Sequence, residues 1–211
     1  MADTLSCGYV LDLAKKRLSD IWDGRTPPTV DGSDAEDRSI DSAVRVIEVG
    51  RKYGMPGVLK RGFYEILSSE SFGEMLESVA SRESAISKLS IPEEDVRRLL
   101  AGRLKIGRLW REFVLESPSG AWRVSNQDPS STYRCCHARD SKEARAGKWR
   151  NLVCERGLLE VDDPICFDLV KKLRNVGEGE EWCHGCMDSK KRAWEEKRAE
   201  WWNAMDAWFS L

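Results

Sequence analysis

The stretch SAVRVIEVGRKYGMPGVLKRGFYEIL, residues 42–67, decides the fold class. Ile40, Ala43, Val44, Ile47 and Tyr53 recur at the spacing of one helix face, which predicts a helix over 39–53. Gly54 stops it, because glycine takes the left-handed conformation that ends helices without a Cβ clash. Met55, Pro56 and Gly57 form the turn. Leu59, Phe63, Ile66 and Leu67 then mark a second stripe, on a helix over 56–68. The result is a tight helix–turn–helix pair.

The same period continues on both sides. Before the pair, Val10, Leu11, Ala14, Leu18, Ile21 and Trp22 form a stripe within 5–22. The run DGRTPPTVDGSDAED follows and predicts an acidic, flexible linker over 23–38. After the pair, residues 68–89 are rich in serine, with a short helix expected near Phe72–Val79. Ser90, Pro92 and Glu93 in SIPEED make a helix start of the capping-box kind. The helix behind it carries Val96, Leu99, Leu100, Ile106, Leu109, Trp110 and Phe113 inward. Residues 117–133 read as loop, followed by helices at about 138–156, 163–174 and 187–210. Strand-like alternation is scarce. The expected fold is therefore all-α, an irregular array of six to eight helices. Its expected parts are 1–22, 23–38, a helical unit over 39–116, a loop over 117–133, and a Cys/Trp-rich helical unit over 134–211.

The last helix is dense in tryptophan. Met187, Trp194, Trp201 and Trp208 lie seven apart, so they share a face, and Trp202, Met205 and Phe209 widen it. Trp194, Trp201, Met205 and Trp208 are the expected core, since such a stripe is normally buried. Lys190, Lys191, Glu195, Glu196 and Lys197 fall largely on the other side.

Bulk composition narrows the function. In 211 residues, 34 basic and 36 acidic side chains nearly cancel, giving a net charge of -2. A dedicated nucleic-acid binder carries a basic excess, and this chain has none globally. No apolar run approaches the ~18 residues that span a bilayer, and no secretory leader is legible, so the chain reads as intracellular, cytoplasmic or nuclear. Its seven cysteines are then expected as thiols or metal ligands. Cys7, Cys154 and Cys166 read as small core residues.

Three motif runs in a fixed order resemble a known family. They are VIEVGRKYGMPGVLKRGFYEIL at 46–67, LSIPEEDVRRLLAGRLKIGRLWREFV at 89–114, and CHGC at 183–186 followed by WEEKRAEWWNAMDAWFSL at 194–211. The order resembles the BACK-like region that follows the BTB/POZ domain in fungal BTB/POZ proteins. That resemblance covers most of 39–211 and implies helical packing and adaptor-type protein binding. A BTB domain itself takes about a hundred residues of mixed helix and strand, which the first 38 do not supply. Residues 1–22 look like a helix leading in from such a region. BTB-type dimerisation and cullin recruitment are accordingly not expected.

Four ligand-type side chains suit a structural zinc: Cys135, His137, Cys183 and Cys186, with Cys136 as the alternative to Cys135. Zinc takes four nitrogen and sulfur ligands in a tetrahedron, and Cys-x-x-Cys offers two thiolates with a close bite. His184 lies inside that turn and is the poorer ligand. No phosphate-binding glycine loop, HExxH or GxSxG motif occurs, and the expectation is no enzyme and no catalytic residues. The expected function is protein–protein interaction of adaptor or scaffold type with an unassigned protein partner. The groove near Tyr53, Met55 and Tyr64 is the candidate surface. The alternative is a zinc-stabilised nucleic-acid binder using the basic helices 97–111 and 139–150, with Trp149 stacking on a base.

Overall fold

A computed structural model describes residues 2–29, 39–69, 72, 91–118, 141–161, 163–167, 169–173, 182 and 184–211. Among them are seven α-helices and one 3₁₀ turn, and no strand. The helices are α1 (Ala2–Ile21), α2 (Ile40–Tyr53), α3 (Pro56–Ser68), α4 (Glu93–Leu115), α5 (Lys142–Glu155), α6 (Leu169–Leu173) and α7 (His184–Trp208), with the turn at Leu158–Glu160. The all-α expectation holds. The chain divides into two compact units, one of residues 1–28, 32–105 and 201–211, the other of 29–31 and 106–200. That division falls inside α4 and α7.

Local chemistry sets the helix ends. Ser39 accepts the Ser42 N–H at 3.2 Å and caps α2. Gly54 closes α2 at φ 64°, and the Met55 N–H returns to the Gly50 carbonyl at 2.8 Å. Pro56 then opens α3, where its missing N–H costs nothing. Ser141 accepts the Ala144 N–H at 3.1 Å and starts α5. Asp163 accepts from the Ile165 and Cys166 N–H groups, but the turn it caps does not run on, and α6 begins only at Leu169. Ser90 and the expected helix near Phe72–Val79, apart from Phe72 itself, lie outside the described residues.

The first unit packs α2, α3, the start of α4 and the end of α7. Ala43, Ile47, Phe63, Ile66, Leu67, Leu99, Trp202, Met205 and Phe209 are buried there. Phe63 stacks on Phe209 with ring centroids 5.1 Å apart, and Tyr64 meets Trp202 edge-on at 5.2 Å. Asp95, 1% exposed, accepts from Arg51 of α2 and from Arg98 of its own helix. Residues 23–28, expected as flexible linker, instead form a held turn, because Gly24 and Pro28 are buried and the Trp202 Nε1–H donates to the Gly24 carbonyl at 2.9 Å.

The second unit is built on tryptophans with satisfied N–H groups. Trp110 Nε1 donates to the Leu158 carbonyl and Trp149 Nε1 to the Val114 carbonyl, each at 2.6 Å. Trp194 packs edge-on against Trp110 at 5.2 Å. Lys190 departs from expectation: it is buried, not solvated, and its Nζ donates to the Phe113 and Glu116 carbonyls at 2.5 and 2.7 Å.

Two stripes are corrected. Trp194, Trp201 and Met205 are core, but Trp208 is only half-buried, and Trp202 and Phe209 are fully buried instead. A seven-residue repeat slips by roughly 20° per heptad on a straight helix, so Trp208 drifts off the face that Met187 begins. In α1 the stripe is mostly exposed, with Val10 at 62% and Ile21 at 47%. Only Trp22, just past the helix end, is buried at 5%, because α1 reaches the unit by its last turns against α3. Cys154 is exposed and Cys166 half-buried, so neither is a core residue.

Candidate functional site: the cleft beside Met55

Three features meet where α1 ends and α3 begins. The first is the turn after α1. Asp23 Oδ1 accepts both the Arg25 backbone N–H at 3.0 Å and Arg25 Nε at 2.8 Å. The Arg25 hydrogen bond is the main reason the Asp23 carboxyl sits below its ordinary pKa, against an opposing push from burial. The second is the close approach of two glycines. A Cβ on Gly24 would stand 2.1 Å from the Gly57 carbonyl oxygen, which no side chain tolerates. The third is a cleft of about 360 Å³ that this contact leaves, with Trp22, Met55, Pro56 and Val58 as apolar wall and Asp20, Asp23 and Arg25 at the polar rim.

The expected surface residues separate. Met55 is half-buried and lines the cleft. Tyr53 stands at the surface, 36% exposed, with Lys15 Nζ 5.0 Å from its ring centroid. Tyr64 is 1% exposed and belongs to the core beneath, so it offers no surface. Its face on α3 points to Trp202, which arrives from the far end of the chain, and no local pattern announces that neighbour. Reasoning from the sequence placed Trp22 on the α1 stripe but missed its place in the cleft and the Gly24–Gly57 contact. The signal was there in part: a tryptophan followed by a glycine turn is costly to leave in solvent.

Along α1, Tyr9, Val10, Leu13 and Ile21 add exposed apolar surface to the same unit, at 72%, 62%, 55% and 47% exposure. Apolar surface of this kind marks interaction sites when contiguous.

Of the zinc set, Cys135, Cys136, His137 and Cys183 lie outside the described residues, and Cys186 is buried near the start of α7. Among the described residues no group of three or more ligand-type side chains converges.

Three arginines of the 97–111 helix pair with acids one turn away. Arg97 pairs with Glu93 at 2.5 Å, Arg98 with Glu94, and Arg108 with Glu112 at 3.4 Å. Arg103 caps the Leu67 carbonyl at 3.0 Å. Trp149 is fully buried, with its N–H committed to Val114, so it cannot stack on a base. No helix among the described residues is long and apolar enough to cross a membrane.

No protein-family model, no curated protein and no solved structure matches the chain.

Proposed function

We propose that this protein is a non-enzymatic interaction module of adaptor or scaffold type, which binds a protein partner at the cleft beside Met55. The observation that carries the reading is the cleft itself: a preformed apolar hollow of about 360 Å³ in a tightly held turn. It lies in the unit that also exposes Val10 and Leu13 of α1. A hollow whose walls are fixed by core contacts needs little ordering on binding, so more of the contact energy appears as affinity. The likeness of the motif order to the region after the BTB domain of fungal BTB/POZ proteins supports the same class of function.

The test is a peptide display library selected on the full chain. Enriched peptides should lose about tenfold in affinity with Met55→Ser, which removes a half-buried methionine side chain whose exposed part a partner would cover, worth ~1.5 kcal/mol. Met55 is the N-cap of α3 and has no side-chain cap bond, so serine there keeps or improves the helix start. A library that yields no enriched peptide, or peptides indifferent to both Met55→Ser and Leu13→Lys, overturns the reading.

A further inference from the structure

The cleft has a chemistry of its own, beyond its being a hollow. Its wall is hydrocarbon and ring, from Trp22, Met55, Pro56 and Val58, and it carries no charge. Its rim carries two carboxylates and one guanidinium, so its formal charge is one negative. The guanidinium is already engaged. Arg25 gives its Nε–H and its backbone N–H to the same Asp23 oxygen. Its raised pKa reflects that bond first, with a smaller through-space contribution from Asp20. Asp20 is exposed, and its share of Arg25 is the lesser one.

We infer that the cleft takes a lysine or arginine side chain from a basic segment of the partner, with the aliphatic stem along Trp22 and Met55 and the cationic tip on Asp20. This rests on the interaction reading above and adds the partner's chemistry to it. Three observations select the occupant. A long side chain with an apolar stem and a charged end matches a wall without charge and a net-negative rim that exposes the Asp20 carboxylate. A purely apolar side chain would fill the wall and leave Asp20 partly desolvated beside it. An acidic side chain would meet two carboxylates on a rim whose net charge is already negative. The volume of about 360 Å³ lies at the small end of ligand sites, which run to roughly 300–1,000 Å³, and suits a single anchoring side chain. The Gly24–Gly57 contact and the Trp202 bond to Gly24 hold the turn in place without a ligand.

The test uses the full chain, labelled at methionine methyl and tryptophan indole groups, and two small probes. One is Nα-acetyl-lysine methylamide; the other is the same molecule acetylated at its Nε. The lysine probe should give a saturable shift at Met55 and Trp22. Nε-acetylation of the probe, or Asp20→Asn in the protein, should weaken binding about tenfold, the scale of one charge-assisted hydrogen bond. Equal binding of the two probes, indifference to Asp20→Asn, or no saturable shift at Met55 overturns the inference. Library peptides that need Met55 yet carry no basic residue and ignore Asp20→Asn overturn it too, while leaving the interaction reading standing. A lysine probe that saturates the cleft when no library peptide binds supports the cation site and overturns the interaction reading instead.

Discussion

Lys190 is the residue whose environment departs furthest from its type. It is 4% exposed, with its Nζ 3.8 Å from the Phe113 ring centroid and bonded to two carbonyls at the end of α4. Those carbonyls and the α4 dipole favour a cation. Burial opposes it, pushing the pKa from 10.5 down to about 8, with the Glu116 charge a smaller pull upward. Between about pH 8 and 10.5 the unfolded chain holds this proton and the folded chain has lost it. Stability from this group therefore rises with pH across that window and is flat above it. The full drop is worth at most about 3 kcal/mol. Other groups titrate there as well, so the measurement is a difference: urea unfolding of the wild type and of Lys190→Met from pH 7.5 to 10.5. The stability gap should shift in favour of the wild type as pH rises. A gap that stays constant shows that Lys190 keeps its proton when folded. The sequence alone could not signal this residue. In the run MDSKKRAWEEK, Lys190 is one of several cations, and only its angle on α7 relative to Phe113 and Trp149 sets it apart.

At the scale of the element, helix ends were the most legible part of the sequence. Gly54 and Pro56 act through backbone groups within four residues, so their effect needs no knowledge of the rest of the fold, whereas the helix expected from about 138 starts at Lys142 behind a Ser141 cap that the reading did not include. Faces were less legible. A period fixes which residues share a side, but not which side meets a neighbour or for how long. In α1 the stripe is real and mostly unburied. On α7 the heptad of Met187, Trp194, Trp201 and Trp208 is real, yet the buried face moves to Trp202, Met205 and Phe209 in its last two turns. This distinction is measurable. Trp202→Ala opens a cavity under Tyr64 and removes the bond to Gly24, and should cost about 3–5 kcal/mol. Trp208→Ala, at a half-buried position, should cost about 1 kcal/mol, well below the usual cost for a core tryptophan. Chemical denaturation of the two variants decides it. Equal losses would mean that Trp208 shares the core face after all.

At the scale of the molecule, the open question is what holds the cysteine-rich part of the chain. The second unit already has an aromatic centre in Trp110, Trp149 and Trp194 with satisfied indole N–H groups on Trp110 and Trp149. A core of that kind contributes stability of its own, to which a metal clip would add. Yet Cys186 is buried at the start of α7, and a thiolate there would be costly unless a cation or metal met it. The zinc expectation for Cys135, His137, Cys183 and Cys186 therefore has a sharp consequence. Native mass spectrometry of the purified chain should find one zinc per chain, and a strong chelator should remove it. Because metal binding free energy is folding free energy, the chelated protein should then lose indole burial, read as a red shift of tryptophan fluorescence. Replacing Cys183 by serine should abolish the metal, while Cys154→Ser, at an exposed thiol, should leave it bound. A chain that carries no zinc and keeps its fluorescence with chelator present would make Cys186 a packing residue and leave the tryptophans as the whole basis of the unit.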